Sequence, residues 1–364
     1  MLKLATVFSG IGAIEHALKR MKIQHEIIFA CDNDKFVKDS YFANHDIDSS
    51  RWIDDIHDID GKKYKGKVDL FVGGSPCQSF SMVGKRRGLE DPRGLLIYEF
   101  ARLVKEIKPK VFIYENVKGL LSHQKSETWE KLKEEFTSTG YRFFYAVLNA
   151  EDYGIPQHRE RLFVIGFKNP KTNFGFPEQK TLDITMQDLL EDNPDSKYFL
   201  PEKGIAFVTK EKNLKKRYTQ INGTIALCQK ANQQFNWHGD FIMEPSKKID
   251  EKYYLSEKVT AYVTSSGTKN FYSKPATDLK VARPLLSTMH KMHRAGVDNY
   301  ITRGSKLRKL TPRECLRLMG FDDRFEIVVS DTQMYRQAGN AIVVDVLMNI
   351  LKSINIKNYA RNNN

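Results

Sequence analysis

Residues 4–21 read Leu-Ala-Thr-Val-Phe-Ser-Gly-Ile-Gly-Ala-Ile-Glu-His-Ala-Leu-Lys-Arg-Met. The first five are apolar and carry β-branched and aromatic side chains, as a buried strand does. Ala13–Met21 has the spacing of an amphipathic helix, and two glycines make the turn between them. The same alternation continues. EIIFAC (26–31), VDLFVGG (68–74), KVFIYE (110–115), FFYAVLNA (143–150) and RLFVIGF (161–167) read as strands. FVKDSYFAN (36–44), LIYEFARLVKEI (96–107) and SETWEKLKEEF (126–136) read as helices. Strand–helix alternation implies an α/β fold with a mostly parallel sheet covered on both faces. Such sheets bind ligands at the carboxyl ends of their strands.

The pattern breaks after Gly166. Residues 170–305 are irregular and rich in Lys, Asn, Thr, Ser and Tyr, with short strand-like pieces such as KVTAYVTSS (258–266). This predicts a second, smaller domain over 171–305, set between residues 1–170 and 306–364. Helical order returns at TPRECLRLMG (311–320), where Thr311, Pro312 and Glu314 make a helix start, and at AIVVDVLMNILKSI (341–354).

Charge sets the middle of the chain apart. Residues 197–309 hold 22 Lys and Arg against 9 Asp and Glu, the whole excess of 13, while the remainder carries 36 of each sign. A block of this kind is suited to a polyanion, nucleic acid first, although a solvated basic surface gives the same count. No apolar run of about eighteen residues is present, so no membrane span is expected. MLKLATVFSG carries no signal-peptide pattern. Four scattered cysteines (Cys31, Cys77, Cys228, Cys315) form no CxxC or Cys/His cluster. That argues against disulfides and structural zinc and points to the cytoplasm.

Four segments carry chemistry. Phe8-Ser9-Gly10-Ile11-Gly12 lets the backbone approach a ligand, and Asp32, some twenty residues on, sits where a carboxylate binds ribose hydroxyls. The third glycine of a dinucleotide motif is missing, so a nucleoside without phosphates fits better. The turn alone is equally compatible with a structural role. Gly73–Ser81 (GGSPCQSFS) follows a strand, and its Cys77 lies in a Gly/Pro/Ser loop, a poor place for the buried cysteine that is the usual case. Ser81–Gly94 is basic and glycine-punctuated, as a lid over an anionic substrate is. Glu115-Asn116-Val117 ends a strand; its carboxylate either caps a helix or gives a proton to a ring nitrogen. Gln157, Arg159 and Arg161, read as one strand, present an amide and two guanidiniums on one face. A salt-bridge ladder with Glu160 is the plainer reading of that segment.

In this order the four segments resemble the bacterial C5-cytosine-specific DNA methyltransferases of restriction–modification systems. The resemblance includes PCQ, ENV and QxRxR and extends to RKLTPREC (308–315) and QAGNA (337–341). Ser75 stands where the family often has Phe or Pro, and Asp32 where it often has Glu. The resemblance implies a Rossmann-like S-adenosylmethionine-dependent methyltransferase whose catalytic domain is discontinuous, 1–170 with 306–364, around a smaller, irregular target-recognition domain over 171–305. It implies that Cys77 adds to C6 of cytosine, that Glu115 protonates or polarises N3, and that Arg161, supported by Arg159, contacts the base oxygen or the phosphate. S-adenosylmethionine would lie over Phe8, Gly10 and Gly12, with Asp32 on its ribose and Asp55-Ile56 at its adenine. Leu96, Asn340 and Ala341 would complete the pocket, and no metal is needed. Double-stranded DNA would meet Ser81, Arg93, Gln157, Arg283, Thr288, Met289 and Arg294, with Thr288-Met289 at the family's recognition dipeptide.

A monomer is expected, with a cognate restriction endonuclease sharing the site but no stable complex. Three other readings compete. Methylation of tRNA belongs to one branch of the same family, but the basic domain and restriction-type motifs weigh against it. A nicotinamide oxidoreductase explains neither the PCQ loop nor the basic block. A catalytically dead DNA-binding regulator would not need Cys77, Glu115 and Arg161 intact.

Overall fold

The computed structural model describes residues 1–76, 96–192, 194–200, 202–216, 218–222, 224, 238–244, 275–277, 279–287, 296–303 and 306–360. By contacts it divides into two compact units, Met1–Asn149 with Glu160–Glu178 and Val346–Asn364, and Ala150–Arg159 with Gln179–Asp345.

The first unit is built on seven strands: β1 (Leu2–Val7), β2 (His25–Cys31), β3 (Trp52–Ile53), β4 (Leu70–Gly73), β5 (Val111–Val117), β6 (Arg142–Asn149) and β7 (Glu160–Phe167). Their order is β3-β2-β1-β4-β5-β7-β6. The first five run parallel. β7 runs antiparallel to both β5 and β6. Every strand and helix expected over residues 1–167 is present, with its ends slightly shifted. β3 was not foreseen, because two residues give no periodicity. Helices α1 (Ala13–Arg20), α2 (Lys35–Asn44), α3 (Leu96–Ile107) and α4 (Glu127–Ser138) fill the connections. Asp34 starts α2 by accepting from the amides of Phe36 (2.9 Å) and Val37 (3.4 Å).

Aromatic rings bind sheet to helices. In α3 the apolar residues Ile97, Phe100, Ala101, Leu103, Val104 and Ile107 recur at helical spacing, and all are buried. The Phe100 ring stacks on Phe71 of β4 at 4.8 Å between centroids and meets Phe112 of β5 edge-on at 5.9 Å. Phe112 in turn stacks on Phe136 of α4 at 5.6 Å. The carboxyl ends of β1, β2, β3 and β4, where a parallel sheet offers its binding edge, are thereby held on a rigid base.

The second unit holds a five-stranded sheet ordered β10-β8-β9-β11-β12, made of β8 (Tyr218–Ile221), β9 (His238–Glu244), β10 (Pro275–Thr277), β11 (Gly296–Arg303) and β12 (Lys306–Lys309). KVTAYVTSS lies outside the described residues. The helix Pro312–Leu318 opens with the expected capping box: Thr311 Oγ1 accepts from Glu314 N at 3.1 Å, and a Glu314 oxygen accepts from Thr311 N at 2.8 Å. The compact units draw their boundary differently from the partition read in the sequence, since 150–159 and 306–345 cluster with the second unit. Among the described residues no helix is long and apolar enough to cross a membrane.

Phe100→Ala removes the ring on which β4, β5 and α3 meet. It should lower the unfolding free energy by about 3–5 kcal/mol, read as a lower urea midpoint; an unchanged midpoint would contradict this packing.

Candidate active site

At the end of β1 the chain turns through Phe8 (φ 53°), Gly10 (φ 54°) and Gly12 (φ 78°). Phe8 is half-buried against the core. Ser9 ties this turn to β2: its amide donates to the Cys31 carbonyl (3.0 Å), and its Oγ accepts from the Cys31 amide (3.0 Å). Gly10 N–H donates to Asp32 Oδ2 at 2.9 Å, and Asp34 N–H to Asp32 Oδ1 at 3.1 Å. Burial raises the Asp32 carboxyl above the ordinary aspartate value, and these two N–H donors oppose the rise. At the end of β3, exposed Asp55 caps the turn Ile56–Asp58 by accepting from His57 N at 2.9 Å. Its hydrogen bonds with His57 hold its carboxyl below the usual aspartate range. Ile56 is buried in the core, and Leu96, the first residue of α3, packs on the same cluster.

Above Gly10 the surface is open: a β-carbon there would meet nothing nearer than the Phe8 carbonyl at 4.0 Å. An open backbone turn, a carboxylate acceptor and the apolar Phe8, Ile56 and Leu96 fit a nucleoside. They offer hydroxyl recognition and no cation for a phosphate.

The second cluster forms where β4 meets β5. Gly74 lies directly against Glu115; a β-carbon at residue 74 would stand 3.0 Å from the Glu115 carbonyl oxygen and 3.1 Å from its Oε2. The loop is braced from below. Ser75 Oγ and Tyr114 Oη share a hydrogen bond of 2.6 Å, and Asn116 Nδ2 donates to Tyr114 Oη (2.7 Å) and Ser75 Oγ (3.3 Å). All three side chains are buried. The Ser75 hydroxyl is thus met by two partners, as a buried hydroxyl requires.

Glu115 Oε1 lies 3.3 Å from Arg161 Nε, with side chains 13% and 20% exposed. In the β5–β7 register Val117 faces Arg161 and Glu115 faces Phe163, so the pair is a diagonal one. Lys118 engages Glu160 at 2.8 Å, leaving Arg161 to Glu115. The loop ends in the description at Pro76. Cys77, Ser81 and Arg93 lie outside the described residues, as do Thr288, Met289 and Arg294. Burial pushes the Cys31 thiol up to about 12, and Cys315 has no exposed surface. Neither is a nucleophile at neutral pH.

The reading of Gln157, Arg159 and Arg161 as one strand face needs correction, because β7 begins only at Glu160. Gln157 and Arg159 lie ahead of it, in the second unit, and both are buried. Gln157 Nε2 donates to the Leu318 carbonyl at 2.8 Å, and its Oε1 accepts from Leu285 N at 2.9 Å. The Arg159 guanidinium donates to the carbonyls of Leu285 (3.3 Å), Gly339 (3.0 Å) and Ala341 (3.1 Å). Gly339 packs on the backbone of Leu286 and Ser287. Gln157 therefore ties Leu285 to the end of the helix Pro312–Leu318, Arg159 staples it to the end of the helix Asp331–Asn340, and neither side chain offers anything outward. Arg283, expected at DNA, has no exposed surface. Asn340 is exposed and Ala341 buried in that same unit. Among the described residues no group of three or more His, Cys, Asp or Glu is placed to hold a metal ion.

The Phe8–Gly12 turn with Asp32 and the Gly74–Glu115–Arg161 cluster both belong to the first unit. The family profile of C-5 cytosine-specific DNA methylases matches residues 2–356, and the chain belongs to that family. It is 30% identical over 364 residues to the type II methyltransferase M.HhaI of Haemophilus parahaemolyticus, covering 98% of this chain and 97% of that one. It is 29% identical to the orphan methyltransferase M.SPRI of Bacillus phage SPR, covering 97% of both. Among solved structures, S. pombe Dnmt2 methyltransferase is similar in fold, with a TM-score of 0.66 and 21% identity over 98% of this chain and 100% of that one. The chain is a cytosine-C5 DNA methyltransferase, a class to which the α/β sheet described above conforms.

Arg159→Met leaves three buried carbonyls without their charged donor. A stability loss on the order of 3 kcal/mol is expected, together with faster amide exchange at Leu285 and Ser287. Wild-type exchange at those amides would refute the staple.

Proposed function

We propose that the protein methylates carbon 5 of a cytosine flipped from a specific duplex site, with Cys77 as covalent nucleophile, Glu115 as acid and Arg161 as the group that orients base and carboxylate. The reading rests on one observation above all: the loop running into Cys77 presses Gly74 against Glu115, which is itself paired with Arg161.

C5 of cytosine is a poor nucleophile. Addition of the Cys77 thiolate forms a sulfur–C6 bond and turns C5 into an enamine carbon, while Glu115 protonates or polarises N3 to take up the displaced electron pair. S-adenosylmethionine supplies the methyl group that C5 accepts. With the methyl group on C5, S-adenosylhomocysteine released and the N3 proton returned to Glu115, loss of the C5 proton to solvent re-forms the C5–C6 double bond and expels the Cys77 thiolate from C6. Arg161 holds Glu115 in place and offers its remaining N–H groups to the base oxygen or adjacent phosphate. Arg159 contributes at a distance, through the carbonyls it binds.

Phe8, Gly10, Gly12, Asp32, Asp55, Ile56 and Leu96 would hold the nucleoside. Residues 171–305 act as the target-recognition domain, their basic block setting phosphate contacts against the few kcal/mol that base flipping costs. Thr288-Met289, Arg294, Ser81 and Arg93 are the proposed DNA contacts; Gln157 and Arg283 are buried and leave that set. The protein acts as a cytoplasmic monomer that protects host DNA in a restriction–modification system. Methylation of tRNA is not favoured, since the family and its type II relatives are DNA methylases.

Cys77→Ala should abolish methyl transfer and leave DNA binding intact; full methylation by that variant excludes the mechanism. Duplex DNA carrying 5-fluorocytosine should trap a Cys77 adduct under turnover, because fluorine at C5 cannot leave as a proton. Turnover without an adduct would count equally against it.

A further inference from the structure

Glu15, in the first turn of α1, is fully buried. The mechanism above does not use it. One carboxylate oxygen, Oε1, accepts from Tyr41 Oη of α2 at 2.6 Å and from Thr6 Oγ1 of β1 at 3.2 Å. The other, Oε2, is buried with no hydrogen-bond partner. Among the described residues no cation bonds it: Lys19, farther along α1, acts through its field and is hydrogen-bonded to Asn44 O. His45 is no counter-ion either, since burial pushes its pKa down to about 3 while its Nε2 meets the Ile11 carbonyl at 3.0 Å. A fully buried carboxylate with two hydroxyl donors and one bare oxygen is costly, and the group answers by holding a proton. Burial raises Glu15 to about 7.

From Thr6 the hydrogen bonds run on toward the nucleoside turn. Thr6 Oγ1 and Ser9 Oγ are 2.7 Å apart, and Ser9 Oγ stands 3.1 Å from the Cys31 carbonyl. Each hydroxyl has one proton. When Glu15 is ionised it can only accept, so Thr6 donates to it; Thr6 then accepts the Ser9 proton, and the Cys31 carbonyl loses that donor. When Glu15 is protonated it donates to Thr6, Thr6 donates to Ser9, and Ser9 donates to Cys31 O. Only this second arrangement completes the chain, and it ends one residue before Asp32.

We propose that Glu15 is a positioning residue whose proton sets the direction of the Thr6–Ser9–Cys31 hydrogen-bond chain, so that the protonated form orders the turn that presents Gly10 and Asp32 to the cofactor. The inference rests on the nucleoside reading of that turn. Cofactor binding takes up a proton near neutral pH, and affinity falls as pH rises. The same sign governs folding. The stabilisation carried by protonated Glu15 is complete below its ordinary value of 4.5 and is lost as pH rises through about 7.

The test is calorimetric titration of S-adenosylhomocysteine into the full chain at pH 6 and pH 8, in two buffers of different ionisation enthalpy. The wild type should bind on the order of fivefold more weakly at pH 8 and take up a proton on binding. Glu15→Gln, whose amide donates to Thr6 at every pH, should bind equally at both, near the wild-type pH 6 value. Tyr41→Phe removes a donor that favours the ionised form and should move the midpoint of the decline to higher pH. The melting temperature of the free protein should fall from pH 6 to pH 8 more in the wild type than in Glu15→Gln. A flat wild-type profile, or a slope that survives in Glu15→Gln, overturns the inference. Failure to bind at either pH overturns the nucleoside reading and this inference together.

Discussion

Gly74 has no side chain, and the candidate active site depends on that. Strand β4 delivers the loop across the end of β5, where a single added carbon would stand about a hydrogen-bond length from both the backbone and the carboxylate of Glu115. The approach fixes the loop in two ways. The backbone is pressed from one side by Glu115, and the Ser75 side chain is held from the other by Tyr114 and Asn116. Glu115 is in turn pinned by Arg161 on β7, the strand that reverses direction next to β5. The proposed chemistry uses three groups far apart in sequence, Cys77, Glu115 and Arg161, and this contact brings the loop that leads to the first against the second.

The second unit solves a different problem. The carbonyls of Leu285, Gly339 and Ala341 converge on one guanidinium, and a charged, rigid fork with several donors suits such a cluster better than an ammonium does. Residues 285–287 immediately precede Thr288-Met289, the segment read as the recognition dipeptide. A motif that looks catalytic in the sequence thus divides its labour, with Arg161 beside the carboxylate and Gln157 and Arg159 engaged with backbone.

Most of the first unit was legible because strand and helix periodicities differ and the connections are short. The turn at Phe8–Gly12 and the carboxylate at Asp32 follow from strand ends alone. Three features were not legible. The two-residue β3 has no period. The run from Gln157 to Arg161 was treated as one strand, although Pro156 just before it argues for a later start. An arginine that serves buried carbonyls is also spelled like one that serves a phosphate, which is why Arg159 and Arg283 were placed outward. Glu15 carried a signal of its own: in α1 it shares a helix face with Leu18, three residues on and buried.

The central claim is that close contact between Gly74 and Glu115 sets the loop for catalysis. The single-turnover methylation rate of Gly74→Ala tests it most directly, measured beside the variant's urea midpoint and its affinity for S-adenosylhomocysteine. The account predicts a rate lowered by about tenfold or more, since small misplacements of reacting groups are costly, with stability and cofactor affinity near wild type. A variant that methylates at the wild-type rate would contradict it.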